Sequence, residues 1–130
     1  MSIFDHLSFG VADVARTEAF YDAVLAPLGI VQLFRNYRAV CYGPAGFTGE
    51  APLAFLQHGA DARPNGPGCH LAFVATSRAA VDAFYAAAIA AGATDDGPPG
   101  IRYEDDPGYY AAFVRDLDGL RIEAVVHEKR

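Results

Sequence analysis

Polar and apolar residues alternate where the chain begins. In Ile3 to Val11, Leu7, Phe9 and Val11 fall on one face of an extended segment and His6, Ser8 and Gly10 on the other. This predicts a strand with its apolar face against a helix and His6 on the opposite face. The period then becomes helical. From Val14 to Leu25, Phe20 and Val24 share a stripe, Asp13 is a candidate N-cap, and Pro27 and Gly29 end the segment. Ile30 to Phe34, Tyr37 to Tyr42 and Leu53 to Gln57 read as short strands, with the turn cluster Gly43-Pro44-Ala45-Gly46 before the last. His58 to Gly68 holds two prolines and three glycines and reads as a connection.

The pattern then starts again. Cys69 to Ala75 reads as a strand with His70, Ala72 and Val74 on one face, and Ser77 can cap a helix that runs to Ala91, with Gly92 just beyond. Ala86 to Ala91 is nearly all small, which suits close packing on a sheet. Thr94 to Gly108 reads as irregular, with Pro98-Pro99-Gly100 and the acidic trio Glu104-Asp105-Asp106. Tyr109 to Arg115 and Leu120 to Val126 read as strands joined by the hairpin turn Asp116-Leu117-Asp118-Gly119. Arg121, Glu123 and Val125 share one face of the last strand.

One shift of 64 positions, without gaps, lays His6-Leu7-Ser8-Phe9 on His70-Leu71-Ala72-Phe73 and Phe20-Tyr21 on Phe84-Tyr85. Tabulated repeats with shorter periods form open arrays, whereas a single duplication of half a chain suggests a two-unit fold with internal pseudo-symmetry. Each half is read as strand, helix, three strands, with unit one at 1–58, the connection at 59–68 and unit two at 69–130.

The chain has 130 residues, 52% of them hydrophobic and 20% charged, which favours one domain with a real core. The net charge is −6 and the ten basic residues are scattered, which argues against nucleic acid or an anionic membrane as partner. No apolar run approaches a membrane span and no signal segment opens the chain. Cys41 and Cys69 have no metal-type spacing and suit a reducing cytoplasm.

Three residues could carry chemistry together. His6 and His70 occupy the duplicated position, and Glu123 is an acid in an otherwise apolar strand. A lone strand histidine is usually hydrogen-bonded core or surface, and Glu123 has a bland alternative as a solvent-facing or Arg-paired acid beside Arg121 or Arg115. If the two units pair about a pseudo-twofold axis, both imidazoles and the carboxylate point into one space. That set suits a first-row divalent ion with open positions. Arg102 could meet an anionic substrate, and Tyr103 and Tyr109 could line a pocket. A surface arginine and packed aromatic residues are the ordinary readings of these three.

The chain resembles the vicinal-oxygen-chelate superfamily of glyoxalase, bleomycin-resistance and dioxygenase proteins. The carriers are Asp5-His6-Leu7-Ser8-Phe9-Gly10-Val11-Ala12-Asp13, Phe20-Tyr21 with Leu28-Gly29, His70-Leu71-Ala72-Phe73 and Asp116-Leu117-Asp118-Gly119-Leu120-Arg121-Ile122-Glu123. The resemblance implies an α+β fold in which two βαβββ units form a half-open, pseudo-twofold, barrel-like mixed sheet with helices outside. It implies one divalent metal ion (zinc, nickel, manganese or iron) held by His6, His70 and Glu123, with Glu123 also catalytic. It further implies a homodimer and a small substrate chelated through adjacent oxygens, as in a lyase, dioxygenase or thiol transferase. The alternative is a metal-free, ligand-sequestering protein of the bleomycin-resistance type. Ala54 falls at the place equivalent to Glu123 and cannot ligate, so the implied set has three protein ligands.

Overall fold

The computed structural model describes residues 2–128. Two units follow one another, the first βαβββ and the second with one further short strand after its helix. The first comprises β1 (Leu7–Val11), α1 (Val14–Leu25), β2 (Ile30–Arg35), β3 (Ala39–Pro44) and β4 (Leu53–Gln57). The second comprises β5 (Leu71–Val74), α2 (Arg78–Ala90), β6 (Thr94–Asp95), β7 (Gly100–Tyr103), β8 (Asp106–Arg115) and β9 (Arg121–His127).

Each unit makes its own mixed sheet. The first has the order β1-β4-β3-β2, with β1 parallel to β4 and the other pairs antiparallel. The second has the order β5-β9-β8-β6, with β7 also on β8 and only β5–β9 parallel. The sheets stay separate and do not close into a barrel, and β1 and β5 are end strands.

Local chemistry sets the helix ends. Asp13 is extended and accepts from the Ala15 and Arg16 amides at 3.0 and 3.4 Å, while Ser77 accepts from the Ala80 amide at 3.0 Å. Gln57, at the end of β4, adds a clamp: its Oε1 accepts from the Val14 amide at 2.8 Å and its Nε2 donates to the Ala12 carbonyl at 2.9 Å. After α1 a 3-10 turn over Ala26–Leu28 carries Pro27, and Gly29 stops it at φ 75°, where a side chain would be strained.

Several boundaries differ from the sequence reading: β3 is shifted to Ala39–Pro44, and β5 starts at Leu71, so His70 lies just before it and not on it. Ile3 to His6 lie outside β1, because β4 begins at Leu53, opposite Leu7, and offers nothing further to pair with. The stretch read as irregular, 94–108, contains β6, β7 and the start of β8. Its prolines and acids hide a strand that forms only because β8 pairs with it.

The core lies on the helix side of both sheets. Val11, Phe20, Tyr21 and Phe55 from the first unit join Phe84, Val114, Ile122 and Ala124 from the second in one buried cluster. Tyr21 stacks on Phe55 at 4.2 Å between ring centroids. Its hydroxyl donates to Asp116 Oδ2 at 2.6 Å, across 95 positions of sequence. Asp116 Oδ1 accepts from the Asp118 and Leu120 amides, and Asp118 Oδ1 accepts from the Ala12 amide. The β8–β9 turn is thus tied to the β1–α1 corner, and α1 packs on α2. The helix-side faces of the units are locked together, and the histidine-bearing faces lie outside this core.

Candidate functional site

The open face of the second sheet is built by alternation. On β9, Ile122, Ala124 and Val126 join the helix-side core, which sends Arg121, Glu123 and Val125 to the other face. Cross-strand pairing sets Phe113 of β8 opposite Glu123, and Arg115 opposite Arg121. Tyr109, Ala111, Phe113 and Val125 form a small apolar cluster there.

Glu123 is the buried charge of this face, only 1% exposed. Both of its oxygens are engaged: His70 Nε2 lies 3.1 Å from Oε1, and the Tyr109 hydroxyl donates to Oε2 at 2.7 Å. A buried carboxylate requires such partners. Burial first, and then the Glu123 hydrogen bond and charge, push the Tyr109 hydroxyl up to about 12, so it is a neutral donor at physiological pH. Tyr109 also meets Tyr103 and His127 edge-to-face, at 5.1 and 4.8 Å. Glu123 is therefore neither solvent-facing nor Arg-paired. Arg121 and Arg115 bond to Asp96 instead.

His6 is elsewhere. It precedes β1, is half exposed, and its Nδ1 lies 2.7 Å from Asp5 Oδ1; that bond raises the imidazole above its ordinary value. Among the described residues no three of His, Cys, Asp or Glu come together as a metal-binding group. The sequence reading put His6, His70 and Glu123 in one space; within a single chain the structure brings together only His70 and Glu123. The physical reason is the helix-side lock, which joins the units by the faces that lack the histidines. One chain supplies two donors, fewer than the three protein ligands usual for a catalytic divalent ion.

The duplication explains the missing fourth ligand. Ser8 pairs with Ala54 in the first unit as Ala72 pairs with Glu123 in the second. Ser8 and Ala72 are 64 positions apart, so Ala54 occupies the carboxylate position of unit one and has no donor. Gln57 cannot substitute, because both ends of its amide hold the β1–α1 corner.

Arg102 lies beside the same face, its guanidinium carbon 4.7 Å from the Phe113 ring centroid. Its Nη2 donates to the Gly97 and Pro98 carbonyls at 3.0 Å each. Sequence reasoning put Arg121 on the Glu123 face and offered Arg115 as a partner of that acid, but it missed Phe113 as part of this face. Arg121 sits at 4.0 Å over the same ring. The signal available for Phe113 was the hairpin turn at 116–119, which sets Phe113 opposite Glu123. His70 and Cys69 both line a cavity of about 440 Å³ with Asn65–Gly68, Arg115 and Arg121. Residues 69 and 70 precede β5, so strand alternation does not separate them as the sequence suggested.

A family model described as the Glyoxalase/Bleomycin resistance protein/Dioxygenase superfamily matches residues 3–124. The chain belongs to this superfamily. Among solved structures, a glyoxalase/bleomycin resistance protein from Albidiferax ferrireducens is 35% identical, with 95% of this chain and 98% of that chain covered and a TM-score of 0.82. A glyoxalase/bleomycin resistance protein/dioxygenase family enzyme from Burkholderia phytofirmans, 22% identical, shares the fold over 95% and 97% of the chains at a TM-score of 0.71. So does the fosfomycin resistance protein FosX from Listeria monocytogenes, 18% identical, over 96% and 93% at 0.68. No curated protein matches the chain. No helix is long and apolar enough to cross a membrane.

Proposed function

We propose that this superfamily member is a divalent-metal-dependent enzyme whose site is completed between two copies of the chain. The observation that carries the reading is the split ligand set. His70 and Glu123 are in contact on one face, and His6 stands apart, half exposed, at the duplicated position. A homodimer that lays the first unit of one copy against the second unit of the other would bring His6 to His70 and Glu123. The end strands β1 and β5, and exposed apolar residues such as Val74, Phe34 and Leu56, support a self-association surface. Bound there, a divalent ion would supply Lewis-acid polarisation of adjacent oxygens on a small ligand.

The chain's own groups then have defined tasks. Glu123 is a ligand and a proton acceptor in a dry site, Tyr109 holds its proton near Glu123, and the Tyr103 and Tyr109 rings wall the ligand on the β7 side. The half-buried free thiols, Cys41 and Cys69, fit a cytoplasmic protein.

The test is metal content after loading with zinc, nickel, manganese or iron(II) and gel filtration. The expected result is one ion per chain in wild type and none in His70→Ala. Absence of any ion in wild type, or equal loading of the variant, would overturn the metal reading. A second reading is favoured by the closed Glu123 network, since both carboxylate oxygens are satisfied without an ion. The face would then sequester a small ligand, and binding that survives a chelator would mark that outcome.

A further inference from the structure

We propose that the cavity beside His70 contains an anion subsite, formed by Arg115 and Arg121, that takes a carboxylate, phosphate or phosphonate group of the bound small molecule. The proposal rests on the reading of this face as the ligand-binding face, and it names the substrate class.

The local charges do not balance. Arg121 Nε and Arg115 Nε lie 2.8 and 3.3 Å from the same oxygen, Oδ2 of Asp96. Two guanidinium groups share one carboxylate. The next acid on the face, Glu123, is already held by His70 and Tyr109. With Arg102 stacked on the same Phe113 ring as Arg121, three guanidinium groups face two carboxylates, Asp96 and Glu123, and one positive charge is left over on the face that holds a cavity of about 440 Å³, within the usual range for small-molecule pockets. In a chain of net charge −6, this local excess is the feature that would favour an anion.

The cations are also positioned. Arg121 lies over the Phe113 ring at 4.0 Å, and Arg115 Nη1 donates to the Gly119 carbonyl at 3.3 Å. Their side chains remain 31% and 48% exposed, so donors are still free to meet a ligand. A planar guanidinium matches a carboxylate or phosphate with paired hydrogen bonds, which a lysine cannot do. Arg121 and Glu123 are two residues apart on one face of a strand, a separation of about 7 Å. The ligand is therefore short, reaching from the Arg121 guanidinium to the neighbouring His70 and Glu123 on the same face.

The experiment is a calorimetric titration with inorganic phosphate on chelator-treated protein, comparing wild type with Arg121→Gln, Arg121→Lys and Asp96→Asn. Circular dichroism first establishes that each variant is folded. Phosphate should bind wild type without metal and weaken at least tenfold in Arg121→Gln, with Arg121→Lys in between. It should tighten several-fold in Asp96→Asn, which removes the competing carboxylate. Affinity unchanged in Arg121→Gln, weaker binding in Asp96→Asn, or binding seen only with added metal would overturn the proposal. Metal loading that fails while phosphate follows this pattern overturns the metal reading alone. Metal loading with phosphate indifferent to Arg121 overturns this proposal alone.

Discussion

Tyr21→Phe removes one oxygen from the bond that locks the two units on their helix side. Tyr21 is 1% exposed and Asp116 is 7% exposed, with 2.6 Å between hydroxyl and carboxylate. A hydrogen bond to a charged group contributes about 1.5–3 kcal/mol. Phenylalanine keeps the stacking on Phe55, and Asp116 keeps its two amide donors, so a loss of about 2 kcal/mol is expected at neutral pH. For a chain of this size that lowers Tm by roughly 6–10 °C. The loss should depend on pH. Burial raises the Asp116 carboxyl above its ordinary 3.8, while the bonds from Tyr21, Leu120 and Asp118 lower it. A carboxyl raised in the folded state favours folding most fully when protonated, below its unfolded value, and that contribution is lost as pH rises through the folded value. Without the Tyr21 hydroxyl the folded value rises further. The penalty of Tyr21→Phe is then full at neutral pH, where the carboxylate is charged, and shrinks as pH falls through the Asp116 titration. Urea unfolding across a pH series reads both effects. A loss below about 0.5 kcal/mol, or one independent of pH, would refute a charge-assisted lock between the units.

Glu123→Gln keeps the shape of a buried group that can still bond Tyr109 and His70, so the metal-free protein should unfold at an unchanged or higher temperature. The stabilisation of about 2.7 kcal/mol expected of wild type at one hundred times Kd of metal should vanish in thermal unfolding of this variant. Tyr109, read as the difference between wild type and Tyr109→Phe in tyrosinate absorbance, should ionise near 12 and fall in Glu123→Gln, which removes the negative charge. Its stability contribution is present below its unfolded value of 10.0 and is lost as pH rises through about 12. Gln57→Ala unpairs the Val14 amide and the Ala12 carbonyl at the α1 start, and should cost about 1 kcal/mol in urea unfolding, as loss of a helix cap does.

Much of the fold was legible because the sequence states it twice. Asp13 and Ser77 cap the helices, and the shared His-Leu-x-Phe segment marks β1 and β5 in both units. The register of Ala54 against Glu123 also follows from the repeat. β7 was not legible, since Pro98-Pro99 precedes it and its partner is supplied by β8. Glu123 could be read from position, because alternation along β9 fixes its face, whereas His70 reaches it from just before β5, where no alternation applies. The place of His6 could not. It depends on which faces of the units meet, and that is set by Tyr21, Asp116 and the α1–α2 contact, over distances no local pattern encodes. The Arg115–Arg121–Asp96 group was hidden for a similar reason: Asp96 lies 25 positions from Arg121, beside a two-residue strand.

The most direct measurement is metal content in a mixture of His6→Ala and His70→Ala chains, unfolded together and refolded. Each variant alone should hold no ion. In the mixture, random pairing of twofold dimers gives heterodimers that rebuild one intact site, so metal should return to about one quarter of the wild-type level. A mixture that stays empty while refolded wild type regains its metal, or a His6→Ala protein that binds metal as wild type does, would contradict a site shared between two copies.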